Sequence, residues 1–470
     1  MGKRKELGVD SMGIQKTMRF TDYLGDGLGM IPLNIMSCLV GQMTYFYTEK
    51  VGLAAGMVAT MLLLSKFADA FSDLIMGKIM DATHSKYGKC RPWFLRMILP
   101  SAFAIILLFT VPRELPEGIQ MGYVLITNIL ISAVVYTAVA IPYTALQNIR
   151  SASSEERGKM GTFRAAFGYA AGMFITILLI PITNMLGGTQ KAWIILAVIF
   201  AVISALSLFV LFRVSKESGN IEDGKKEGQQ DEEDVPFAEG IQMLFRNKYW
   251  VLMLFANLCM NISYGLNGAS GTYYARYIFG DDNLVGLMGL AGLVPTFLGF
   301  ALVVPLTKKF GMTKTCMGCC VTGAAVCILR AFFPYSFAIS LIGGAICTFA
   351  NIPMMCLFGA MVNNCVEYNE WKFGKRILGM TNSASSFGNK IGSGIGGSLI
   401  GWMLALGGYQ AAQAVQPASV NTAIFAFSIY IPMVLFVLMF ILLRVNDLEK
   451  KYPQIVAELR QRKENGNENL

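Results

Sequence analysis

Asp69 and Asp73 stand four residues apart inside one apolar run, residues 54–80. On a helix that spacing puts both carboxylates on one face, a single turn apart. An ionisable side chain at mid-membrane depth costs about 2.5–3.5 kcal/mol on insertion scales, so an intramembrane pair is a functional candidate first. Two ionised carboxylates this close repel each other, which leaves two arrangements: a cation sits between them, or one keeps its proton. Oxygen ligands suit a hard ion such as Na⁺, by the logic that governs other hard cations, and a proton serves equally. The structural alternative is that Lys66, three residues before Asp69, pairs with the aspartates and only holds helices together.

Further polar groups lie in other apolar runs. The fourth run carries Tyr136, Thr137 and Tyr143 around Pro142. Thr137 can lend a hydroxyl oxygen to a cation, and Pro142 removes a backbone N–H, frees a carbonyl and permits a kink. Arg164 opens the fifth run, where it reads either as a coupling residue or as an anchor at the membrane surface. Lys390 lies well inside the eleventh run and needs a carboxylate, an anionic substrate group or water beside it. Gly388, Gly392, Gly394, Gly396 and Gly397 around it allow close helix approach. The seventh run offers Asn261, Tyr264, Asn267, Ser270 and Tyr273, whose hydroxyls, amides and aromatic faces suit a polyhydroxylated ligand.

The elements that must position these groups are long helices. Of the 470 residues, 54% are hydrophobic and 15% charged, against about 45–50% and about 25% in a soluble domain. Mean hydropathy is +0.51. Twelve apolar runs are expected at 24–47, 54–80, 93–112, 121–147, 163–186, 192–213, 249–279, 284–307, 315–334, 337–362, 378–407 and 421–444. In lipid each backbone polar group must bond within its own segment, so such runs are helices spanning the bilayer. No ten-residue alternation of a β-barrel is visible.

The longest interior polar stretch divides the chain: a six-helix bundle over 1–213, a linker over 214–248, a second six-helix bundle over 249–445 and a tail over 446–470 that could form an amphipathic helix. Six plus six suggests two related halves with a site between them. The even-numbered connections are basic (Lys86, Lys89 and Arg91; Arg150, Arg157 and Lys159; Lys308, Lys309 and Lys314; Lys372, Lys375 and Arg376), whereas the odd ones hold only Lys50, Arg113 and Lys191. That asymmetry places the basic loops and both termini in the cytoplasm of a cell-membrane protein. The net charge of +9 is therefore a topology signal rather than a nucleic-acid footprint. The ten cysteines sit mostly inside apolar runs with no disulfide-like spacing, and Cys316, Cys319 and Cys320 read as small helix residues rather than a metal site. The single histidine, His84, leaves no histidine-based metal or Ser–His machinery, so an enzyme is not expected, nor a resident cofactor, nor a metal beyond a coupling cation.

The stretch Asp73-Leu-Ile-Met-Gly77-Lys-Ile-Met-Asp81, followed by Gly88-Lys89-Cys90-Arg91-Pro92-Trp93, resembles the signature of the glycoside–pentoside–hexuronide:cation symporters, the melibiose permease relatives of the major facilitator superfamily. Tyr47-Thr48, Val51-Gly52-Leu53, Ile141-Pro142-Tyr143, Val366-Glu367-Tyr368 and Lys375-Arg376 match in the same order over nearly the whole chain. The resemblance implies an all-α fold of twelve transmembrane helices in two bundles, and sugar uptake driven by a Na⁺, Li⁺ or H⁺ gradient through alternating access. It implies that Asp69, Asp73 and Thr137 bind the cation and that Arg164 and Lys390 lie near the coupled sites; Asn34, Tyr143 and Tyr264, polar residues of the apolar runs, are further candidates for substrate binding or coupling. Charge pairing among Asp81, Arg91, Glu367 and Arg376, in the loops 81–91 and 367–376, is expected to close the cytoplasmic side. The pattern departs from melibiose permease where that protein has sugar-binding aspartates: the fourth run has Ala140, and the first has Pro32, Leu33 and Asn34. Tyr273-Tyr274-Ala275-Arg276-Tyr277 is more similar to the glucuronide branch. A hexuronide and a neutral glycoside or pentoside both stay open, as does a major facilitator carrier or exporter of a non-sugar solute.

Overall fold

The computed structural model describes residues 16–151, 153–215, 237–375, 377–411, 413 and 416–467. A helix stands on each of the twelve apolar runs. They are α1 (20–51), α2 (Ala55–Asp81), α3 (91–109), α4 (117–150), α5 (Ser154–Met185), α6 (Gln190–Val214), α7 (248–278), α8 (Leu284–Phe310), α9 (Met312–Phe332), α10 (Phe337–Phe373), α11 (Leu378–Leu406) and α12 (418–445). Nine of the described helices are long and apolar enough to cross a membrane. The chain folds as two compact units dividing between Lys225 and Lys226, with Gln410–Val415 grouped with the first.

Several spans are interrupted. The α1 backbone breaks after Gly27 and again at Gln42, then finishes in a π-turn, Phe46–Val51, closed by Gly52 at φ +92°. In α4 a π-helical stretch, Leu130–Tyr136, sits directly before Thr137. Inserted π turns shift the register of a helical face and recur at functional sites. Here the turn lets the Thr137 hydroxyl approach Ser132 O, five residues back, at 3.3 Å.

Helix ends depart from the apolar runs. The α5 helix starts at Ser154 rather than 163, capped by Ser153 Oγ accepting from Glu156 N and carrying Glu155 and Glu156 in its first turn. Acidic residues there suit the positive end of the helix dipole. The α10 helix runs to Phe373 rather than 362 and stops at Gly374, whose φ of +73° is the left-handed cap that glycine adopts without penalty. Glu367 therefore lies on a helix and not in a loop, and Asp81 is the last residue of α2. Hydropathy marks where lipid ends, not where a helix ends, so polar helical turns outside the bilayer are invisible to it.

Most of the linker's charged run lies outside the described residues; its last part, Phe237–Arg246, is a helix, tied by Glu239 to Lys375 at 2.8 Å. The tail is also helical, Leu448–Asn467. Its Glu449 accepts the Met312 and Thr313 N–H groups at the start of α9 (2.6 and 2.8 Å), and Glu458 accepts from Trp371 Nε1 of α10 at 2.6 Å.

In the second unit, α7 and α11 touch backbone to backbone. A Cβ placed on Gly392 would come within 2.8 Å of Asn261 Cβ, and one on Gly396 would run into the Ile262 carbonyl. The small-residue seam expected around Lys390 is thus present, although Gly397 faces open space. Gly396→Ala is expected to lower unfolding stability by about 1–3 kcal/mol through overpacking. Thermal unfolding in detergent checks this, with Gly397→Ala as the neutral control.

Candidate cation site and substrate-binding residues

The first unit brings together the three residues expected at a cation site. Thr137 Oγ1 lies 3.1 Å from Asp73 Oδ1 and 3.4 Å from Asp69 Oδ1. Ser72 Oγ, which the sequence reading missed, lies 3.2 Å from the same hydroxyl. Ser72 was legible as the residue beside Asp73, but only packing of α2 on α4 shows that it shares the site.

These distances are long for O–H···O hydrogen bonds, whose usual range is about 2.5–3.0 Å. Proton counting explains why. Ser72 donates its proton to Asp69 O at 2.9 Å. Thr137 has one proton, which can serve only one of Asp69 Oδ1, Asp73 Oδ1 and Ser132 O. The other approaches set lone pair against lone pair. Oxygens held about 2.3–2.6 Å from one hard cation lie roughly 3.3–3.7 Å apart at right angles, close to the spacing here. The four side-chain oxygens, two of them from carboxyl groups, are of the hard type that suits a monovalent cation.

Lys66 bears on the same site. Its Nζ is 3.5 Å from Asp69 Oδ2, one turn along α2. The structural pairing expected of Lys66 thus exists for Asp69, but through the oxygen that points away from Thr137. Thr137→Val removes one ligand and no charge. It is expected to raise the cation concentration for half-maximal stimulation about tenfold, the effect of one lost polar contact, with sugar affinity at saturating cation unchanged. Titrating uptake with the ion at fixed sugar measures both.

A second buried cluster in the first unit was not foreseen. Asp26, fully buried on α1, accepts from Arg164 Nε at 2.6 Å and Arg164 Nη2 at 3.0 Å. Arg150 Nη1 approaches Asp26 Oδ1 at 3.7 Å. Arg164 also donates to Tyr143 O at 2.8 Å, and its guanidinium lies 3.7 Å from the Tyr143 ring centroid. The Tyr143 hydroxyl donates to Asp26 O at 2.7 Å. The glycine-rich start of α1 permits this: a Cβ at Gly29 would fall 2.6 Å from the Tyr143 ring. Arg164 and Tyr143, both expected near substrate, are thereby occupied in tying α1, α4 and α5 together. Bidentate arginine–carboxylate pairing with stacking is the strong form of such a contact.

The remaining candidates are dispersed. Asn34 donates to Met30 O of its own helix at 2.9 Å and sits over Gly168 and Gly172 of α5. In the second unit Tyr264 is exposed and Lys390 half-buried. Arg91 donates Nε–H to Phe212 O at 2.7 Å and lies 4.6 Å over the Phe212 ring, so it ties α3 to α6. Glu367 is half-buried on α10, while Arg376 and the Asp81 side chain lie outside the described residues. The glucuronide-like stretch is structural: Tyr273 is fully buried against Tyr409 and Phe427, Tyr274 donates to Pro334 O, and Arg276 pairs with Asp282 at 3.6 Å.

Residues 25–450 match the family described as MFS/sugar transport protein. The chain belongs to this family. It is 29% identical over 451 residues to the isoprimeverose transporter of Lactiplantibacillus pentosus, covering 94% of this chain and 91% of that one. It is 28% identical over 444 residues to the putative glycoside/cation symporter YagG of Escherichia coli strain K12, covering 92% and 93%. A solved bacterial homologue of the human lysosomal transporter Spinster superposes with a TM-score of 0.66 at 13% identity, covering 93% of this chain and 99% of that chain, which shows the fold alone. The protein is a multi-pass membrane carrier of major facilitator fold in the sugar-transport family, and curated relatives of it are named as a sugar transporter and a glycoside/cation symporter.

Proposed function

We propose that this symporter imports a neutral sugar or glycoside together with Na⁺, which binds among Asp69, Asp73, Ser72 and Thr137. The observation that carries the reading is the oxygen set around Thr137 Oγ1, all within 3.4 Å, with fewer protons than close approaches. A coupling proton would need one carboxylate only. Two added hydroxyls complete an oxygen set that suits a metal ion. A neutral substrate is favoured because Arg164, one of the two basic residues that the resemblance sets near the coupled sites, is held by Asp26.

Binding of the ion offsets the repulsion between the α2 carboxylates and lets α2 and α4 settle on each other. Sugar then binds to the conformation that the ion favours, and at equilibrium each ligand raises the affinity for the other by the same factor. Alternating access, with the basic loops and both termini in the cytoplasm, converts that coupling into uptake. Uptake into proteoliposomes with a panel of neutral glycosides and glucuronides, under separate Na⁺ and H⁺ gradients, tests the reading. Neutral-glycoside uptake driven by Na⁺ supports it. Uptake driven by H⁺ alone overturns the ion assignment, and uptake confined to glucuronides overturns the substrate class.

A further inference from the structure

In the second unit, α7 and α11 bring three carboxamides into one hydrogen-bonded group. Asn257 donates Nδ2–H to Asn389 Oδ1 at 2.5 Å, and Asn261 donates to the same oxygen at 3.0 Å. Asn261 also reaches Asn257 Oδ1 at 3.1 Å and Asn257 O at 2.8 Å. Asn257 is buried, Asn261 half-buried and Asn389 exposed. The glycine seam fixes the group: Gly392 packs on Asn261 and Leu258 one turn from Asn389, so the two helices cannot slide without clash.

The polar residues continue along both helices. Asn257, Asn261 and Tyr264 are spaced i, i+4, i+7 on α7, and Ser386, Asn389, Lys390 and Ser393 are spaced i, i+3, i+4, i+7 on α11. Each set therefore forms one stripe. A stripe of amides, hydroxyls and an ammonium on a transmembrane helix faces a protein or water-filled path rather than lipid.

The chemistry of the group is specific. Asn389's oxygen already accepts two N–H groups, which leaves its exposed NH₂ to donate outward. Carboxamides donate and accept at once, as does a sugar hydroxyl, and they carry no charge. A carboxylate would instead be met by a guanidinium fork. We propose that Asn389 and Asn261 form a hydroxyl-reading subsite for a neutral sugar, with Asn257 as the residue that positions both. The proposal rests on the sugar-symporter reading above and names residues of the second unit that read the substrate.

The test uses the full-length protein in proteoliposomes, with methyl β-glucoside, methyl β-xyloside and monodeoxy analogues of each as probes. Asn389→Ala is expected to raise KM about tenfold, the effect of one lost hydrogen-bonding partner, with cation activation unchanged. One monodeoxy analogue, the one lacking the hydroxyl that Asn389 reads, is expected to be transported equally well by variant and wild type. Asn257→Ala is expected to raise KM for every sugar without that selectivity. An Asn389→Ala variant that keeps wild-type KM overturns the proposal alone. So does one whose KM rises equally for every analogue alongside a lowered unfolding temperature, because the triad then only staples two helices. A wild-type protein that transports none of the probes overturns the reading beneath the proposal, and the proposal with it.

Discussion

Replacing Asp73 with Cys is expected to abolish cation-stimulated sugar uptake while leaving folded protein in the membrane. Asp73 faces Thr137 at 3.1 Å and brings one of the two anionic ligands of the candidate site. Asp69, the other, is shared with Lys66 at 3.5 Å. Without Asp73, the ammonium of Lys66 offsets the only carboxylate left, and little net charge remains to hold an ion. The Coulomb attraction between unit charges about 3 Å apart, at an effective dielectric near 20, is roughly 5 kcal/mol. Even after desolvation removes much of that, ion affinity falls by more than about a hundredfold, since each 1.4 kcal/mol is a factor of ten. Sugar counterflow with and without Na⁺, Li⁺ or a proton gradient reads the effect. Retained stimulation by any of these ions in Asp73→Cys would remove Asp73 from the site. Asp73→Glu keeps the charge and should keep partial stimulation, which separates charge from packing.

Much of this site was legible because one helix carries it. The Asp69/Asp73 spacing is periodic within a single apolar run, and helix periodicity is the strongest signal a sequence offers. Ser72 and the second half of the site depend on α2 packing against α4, where a π-helical stretch sets the register of Thr137. No local pattern announces such a turn. Asp26 was harder still. Its partners Arg150 and Arg164 are far along the chain, Arg164 lying 138 residues away, and no spacing rule links them. A carboxylate in the first run could have been flagged on cost alone, but nothing local in the sequence names its partners. The amide group was half visible. Asn261 stood out as a polar residue in the seventh run, whereas its link to Asn257 and Asn389 required the glycine seam to bring two distant runs together. Twelve helices followed directly from the apolar runs, and the added turns of α5 and α10 did not, because caps and water rather than lipid set those ends.

Arg164→Leu is expected to cost stability, not substrate choice. The variant leaves Asp26 fully buried, with Arg150 Nη1 at 3.7 Å and no bidentate fork. Removing one partner of a buried ion pair costs about 3–5 kcal/mol, because the other charge stays buried and uncompensated. Tyr143 loses the guanidinium stacked on its ring at the same time, and the anchor between α1, α4 and α5 loosens. Lower yield of folded protein and a lower unfolding temperature in detergent should follow. The double variant Asp26→Asn/Arg164→Gln removes both charges and keeps amides that can bond to each other. It should recover most of the lost stability, as neutral replacements of buried pairs often do. If Arg164 instead met a substrate carboxylate, Arg164→Leu would fold like wild type and lose glucuronide uptake alone, and the double variant would rescue nothing. The pair of variants therefore decides between an arginine that builds the bundle and one that reads the sugar, on measurements that do not depend on knowing which sugar is carried.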